Sequence, residues 1–66
     1  MTFLEYAEKL ETIKYLAHHK RAGTPQYLAE KFDVSERTVQ RMIQHLRDRG
    51  CAISFNRNRN TYEIAE

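Results

Sequence analysis

The sequence predicts a mainly α domain in which three helices are followed by a small two-stranded β-hairpin. Three observations carry this expectation. Residues 24–46 hold two short apolar patterns of helical period, separated by a turn at Asp33. A longer pattern of the same period, with its own start signals, precedes them. After Gly50 the period falls to two, and two alternating segments flank the polar run at 56–60.

Size and composition bound the possibilities. Sixty-six residues make one domain, spanning 1–66. Such a chain buries only about 60% of the surface that it exposes when unfolded. Four tyrosines and three phenylalanines, with no tryptophan, must supply much of the packed area. The single cysteine excludes an internal disulfide and fits a reducing compartment. No apolar run reaches the length of a membrane span or of a signal-peptide core, so a soluble cytoplasmic protein with no membrane partner is expected.

The net charge of +2 hides a local asymmetry. Residues 1–33 carry five basic and five acidic side chains. Residues 37–59 carry six arginines against Asp48 alone. Arginine has the planar fork that suits phosphates and guanine edges. A solvated basic surface would look similar, but so local an excess favours a polyanionic partner.

The first helix is expected over about 3–21. Thr2 and Glu5 have capping-box spacing, and Met1 with Tyr6 forms a hydrophobic staple. Phe3, Tyr6, Ala7, Leu10, Ile13 and Ala17 share one face, which assigns the helix to the core. Basic residues at 18–21 suit the negative end of the helix dipole, and Gly23 supplies a left-handed stop.

The second helix covers about 25–32. Thr24 is its cap, Pro25 fits the first helical position, and Leu28, Ala29 and Phe32 form its buried stripe. The small Ala29 permits a close crossing of two helices. Asp33 takes the turn, where it tolerates a positive φ better than most residues, and Val34 plugs the corner.

Ser35 caps a third helix over about 36–49, ended by Gly50. Val39, Ile43 and Leu46 cluster on one side with Met42 at the edge, while Arg37, Arg41, Gln44 and Asp48 cluster on the other. The hairpin then spans about 52–65. Ile53, Tyr62 and Ile64 can point inward, and Arg57, Asn58 and Arg59 sit at its polar tip.

This order of elements resembles the winged helix-turn-helix family, a three-helix bundle plus a C-terminal two-stranded wing. It is similar in particular to the DNA-binding domains of DeoR-type repressors and of the biotin repressor. The resemblance rests on Thr24, Leu28-Ala29-Glu30, Val34-Ser35, Thr38-Val39, Arg41, Leu46, Gly50, Ile53 and Tyr62, and covers about residues 10–65. Asp33 replaces the glycine usual at the turn. Family members usually add an effector-binding or oligomerisation domain, and these 66 residues hold no small-molecule effector domain.

The resemblance implies that helix 3 reads DNA. Arg37, Gln40, Arg41 and Gln44 would face base edges, where Arg suits guanine and Gln suits adenine. Thr24, Ser35 and Thr38 would hold phosphates through hydroxyls and helix N-termini. Arg57, Asn58 and Arg59 on the wing would meet the backbone or the minor groove. Each role has an ordinary competitor. Arg37 and Arg41 also fit a solvated surface, Arg41 can pair with Glu36 or Asp48, the glutamines are routine helix-surface residues, and Ser35 can be a cap alone. Asp48 is placed outside the groove because its charge would repel DNA.

No metal site is expected. His18 and His19 are adjacent and diverge by about 100° on a helix, and His45 has no ligand at suitable spacing. No cofactor, catalytic residue or enzymatic activity is expected, because a thiol such as Cys51 needs a positioned base and a cleft. Tyr27, Tyr15 and Leu4 lie off the buried faces, as covers for the core edge or as a dimer patch. The leading expectation is therefore a small regulator of transcription that binds double-stranded DNA with sequence preference, pairing as a homodimer that forms on DNA. Two alternatives remain open: an architectural or recombination-directionality factor, and a docking module for an acidic protein.

Overall fold

A computed structural model describes residues 2–65. Helix α1 runs Phe3–His18. Thr2 caps it, its Oγ1 accepting the Glu5 N–H at 3.1 Å. The staple expected between Met1 and Tyr6 involves Met1, which lies outside the described residues. Leu10, Ile13 and Ala17 are buried on the inner face. Phe3, expected on that face, is 84% exposed. Tyr6 takes the last inward place, sharing a hydrogen bond between its Oη and Nδ1 of His45, and nothing described covers the turn before it.

The end of α1 differs from expectation. The helix stops at His18 rather than at 21, and the left-handed residue that stops it is Lys20, with φ 59°. The Lys20 N–H bonds the Ala17 carbonyl at 3.1 Å and the Arg21 N–H bonds that of Leu16 at 2.7 Å. These two bonds satisfy carbonyls that the helix leaves open, and they reverse the chain three residues before Gly23.

Helix α2, Pro25–Phe32, starts at Thr24, whose Oγ1 accepts the Tyr27 N–H at 3.1 Å. Asp33 closes it at φ 55° and ψ 49°. The Val34 N–H reaches the Ala29 carbonyl at 2.9 Å, so the turn forms without glycine. Leu28 and Ala29 are buried, and Phe32 and Val34 pack half-buried against the core.

Helix α3 is Glu36–Asp48, with Ser35 as its N-cap and Arg49 as its C-cap. Gly50, at φ 91°, ends it as expected. Its N–H bonds the Arg47 carbonyl and the Cys51 N–H bonds that of Leu46, both at 2.9 Å. Met42 is fully buried rather than at the edge. Because α3 packs against α1, α2 and β1, its buried arc is wider than one stripe and takes in Met42 with Val39, Ile43 and Leu46.

Strands β1, Ile53–Asn56, and β2, Thr61–Ile64, pair antiparallel. The register sets Ile53 opposite Ile64 and Phe55 opposite Tyr62. Directly opposed residues share a face, so Phe55 joins the inward set that the sequence reading limited to Ile53, Tyr62 and Ile64. The Phe55 and Tyr62 rings meet edge to face with centroids 5.1 Å apart.

Gly23 ties the hairpin to the helices. Its N–H bonds the buried Thr61 Oγ1 at 2.7 Å, and its carbonyl accepts the Tyr62 N–H at 3.1 Å. Its φ is +73°, and a Cβ built there would lie 2.9 Å from the Tyr27 ring. Gly23→Ala therefore meets both a steric clash and left-handed strain of about 1–2 kcal/mol. It should lower Tm by roughly 5–15 °C. An unchanged Tm in a circular-dichroism melt would remove Gly23 from its place as the hinge of the fold.

Candidate nucleic-acid interface

The helical period that buries one side of α3 leaves Arg37, Gln40, Arg41 and Gln44 exposed along the other. These side chains offer guanidinium forks and amides, with no apolar group among them. Gln44 is not free-standing, because its Nε2 donates to Asp48 Oδ1 at 3.0 Å. That bond turns the amide nitrogen toward the end of the helix and leaves one N–H and the Oε1 for another partner. Asp48 is engaged by Gln44, one turn earlier on the same face of the helix.

The two helix starts differ in what they offer an anion. At α3, Ser35 Oγ accepts the Thr38 N–H at 3.2 Å, and the Ser35 and Thr38 hydroxyls share a bond of 3.1 Å. The N–H groups of Glu36 and Arg37 then have no acceptor within the helix. The exposed Glu36 carboxylate stands at the same end and competes for that positive pole. At α2, Pro25 has no N–H and that of Tyr27 is taken by Thr24, so the first turn proper offers only Gln26. Thr24, Ser35 and Thr38 thus all serve the helices themselves.

The tip of the hairpin is shaped by Asn56. Its Oδ1 accepts the N–H groups of Asn58 at 2.9 Å and Arg59 at 3.2 Å, while its Nδ2 donates to Glu63 at 3.1 Å. Asn60 completes the reversal at φ 56°. Arg57, Asn58 and Arg59 are all exposed around this turn. Their backbone is held while their side chains project into solvent.

Two links join these groups. Thr24 follows Gly23, which is bonded to Thr61 immediately after the tip, so the start of α2 and the root of the turn are held together. Arg47 Nε donates to the Ile53 carbonyl at 3.0 Å, which braces β1 against α3. Arg47 therefore differs from the other five arginines of the basic segment. Sequence reasoning missed it, since a bracing arginine and a solvated one occupy the same helical pattern. Asn56 did carry a signal, because Asn two residues before a turn can cap the backbone with its side chain.

Burial pushes the Tyr62 phenol above its ordinary value of 10.0, and the positive charge of Arg47 partly opposes that rise. A tyrosine with a raised folded pKa contributes stability that is complete below about pH 10 and is lost as pH climbs through the folded value. Arg47→Met should move the phenol further up in an ultraviolet absorbance titration. It should also lower Tm by about 4–8 °C through the lost bond to Ile53. A titration curve unchanged from the parent would separate Arg47 from Tyr62.

Among the described residues no helix is long and apolar enough to cross a membrane, and no three His, Cys, Asp or Glu side chains gather as a metal-holding group. No curated protein and no solved structure matches the chain. A family model described as an HTH domain matches residues 8–63, from the middle of α1 to the end of the wing. With three helices, the turn at Asp33 and the antiparallel hairpin in place, this chain belongs to the HTH domain family in its winged helix-turn-helix form.

Proposed function

We propose that residues 1–66 act as one unit that binds double-stranded DNA with sequence preference and regulates transcription. The observation that carries this reading is the exposed stripe of α3, which combines two arginines and two glutamines on a helix whose other side is core. An α-helix fits the major groove of B-DNA, and its outward side chains then meet base edges. Arg37 and Arg41 take guanine, and Gln40 and Gln44 take adenine, each through two bonds in a plane.

The remaining groups fix register. The N–H groups of Glu36 and Arg37, with Ser35 and Thr38 beside them, hold one phosphate, and Thr24 approaches a second. Arg57, Asn58 and Arg59 follow the adjoining backbone or enter the minor groove. The run Leu28-Ala29, Val34-Ser35, Thr38-Val39 and Arg41 supports a DeoR-type or biotin-repressor-like subtype. One module of this kind buries only about 600–1,000 Å² on DNA, so two copies on paired half-sites supply useful specificity.

Selection of bound sequences from a random DNA pool identifies the site, and titrations on that site test the roles. With about five phosphates neutralised, log affinity should fall against log salt with a slope near −4 to −5. Arg41→Ala should cost about 1–3 kcal/mol on the preferred site and relax the preference at one position. Arg59→Ala should weaken every sequence alike and reduce the slope by about one. Equal losses for Arg41→Ala on all sequences would overturn base reading, and no complex in dilute salt would overturn DNA binding itself.

A further inference from the structure

The outer face of α1 is used neither by the core nor by the DNA interface proposed above. Leu4, Glu8, Glu11, Tyr15 and His18 recur along it at helical spacing, and all are exposed. Leu4 is 67% and Tyr15 65% exposed, and Phe3 beside Leu4 is 84% exposed. Single exposed apolar residues are ordinary. Leu4 and Tyr15, however, share a face with an open groove of about 580 Å³ between the C-terminal half of α1, the end of α3 and the base of the hairpin. Tyr15, Leu46, Cys51, Ala52 and Ile64 supply its apolar walls. None of Arg37, Gln40, Arg41, Gln44, Arg57, Asn58 or Arg59 lines it.

Charge is distributed unevenly along the same helix. Residues 2–11 carry Glu5, Glu8 and Glu11 against Lys9. Residues 12–18 carry Lys14 and no acid, and Lys20 and Arg21 follow in the turn just past the helix end. An antiparallel copy of the helix sets each half against its opposite. The apolar residues follow the same symmetry, because Phe3 and Leu4 project from one end while the groove opens at the other. Leu4 and Tyr15 are eleven positions apart, about 16 Å along the axis.

We propose that this face is the interface between two copies of the chain. The two α1 helices pack antiparallel about a twofold axis near Glu11, and Phe3 and Leu4 of each copy seat in the groove of the other. Such an interface is isologous, each contact occurring twice. Glu8 of one copy lies opposite Lys14 of the second. The two Glu11 carboxylates flank the axis, each with Lys14 one turn along its own helix. An interface of one helix face and one groove belongs to the small class below about 1,200 Å², typical of weak and transient pairing. The pair forms without DNA, so this inference stands or falls apart from the DNA-binding reading.

Sedimentation equilibrium of the chain alone, over a concentration series and without DNA, tests the proposal. The mass should rise from 7.9 kDa toward twice that value. Leu4→Glu and Tyr15→Glu should each hold the chain monomeric with an unchanged circular-dichroism spectrum. Glu8→Lys and Lys14→Glu should each weaken pairing about tenfold, since two symmetric contacts turn repulsive, and the double exchange should restore it. A monomer at every concentration up to the millimolar range would overturn the proposal. So would a dimer that ignores Leu4→Glu and Tyr15→Glu, or charge variants that fail to compensate.

Discussion

The fold depends on one backbone junction. At Gly23 the chain leaves α1 and enters α2, and both polar groups of that residue are spent on β2. A two-stranded hairpin has little stability of its own in water. Here it gains a neighbour, because the junction serves as a short third partner along β2. The left-handed φ of Gly23 and the closeness of the Tyr27 ring leave no room for a side chain at that crossing. The inward residues Ile53 and Tyr62 are then held over α1 and α3, where they complete a core that three short helices cannot close.

How much of this was legible in the sequence varies by element. The helix starts were legible because Thr2, Thr24 and Ser35 are all hydroxyl caps, and each accepts the N–H three residues on. Period alone separated helices from hairpin, and Asp33 and Gly50 marked two of the helix ends. The end of α1 was not legible. Lysine has no preference for a left-handed backbone, and a glycine three residues later offered a more obvious stop. Phe3 was misplaced because the helical period assigns a face without saying how far the neighbouring elements extend beneath it. Met42 was misplaced for the complementary reason, since α3 is enclosed on more than one side.

The candidate site divides in the same way. Exposure of Arg37, Gln40, Arg41 and Gln44 follows from the helical period, so the stripe could be read directly. The division of labour among the arginines could not. Arg47 occupies the same helix, yet its guanidinium serves the Ile53 carbonyl and the surroundings of Tyr62. That contact depends on where a strand six residues later returns, which no local pattern encodes. Likewise, the bond from Gln44 to Asp48 selects one of several partners available at four-residue spacing.

The anchoring of β2 at Gly23 also bears on how far the chain can be shortened. A wing drawn as an appendage would be a removable module, with the three helices as the minimal folding unit. In this protein, cutting after Gly50 would remove the buried Ile53 and Tyr62 from the core and orphan the backbone groups of Gly23 in the interhelical link. The helices would lose a wall of their own interior. The exposed tip projects beyond the core, but the strand beneath it is as much a part of the bundle as any helix.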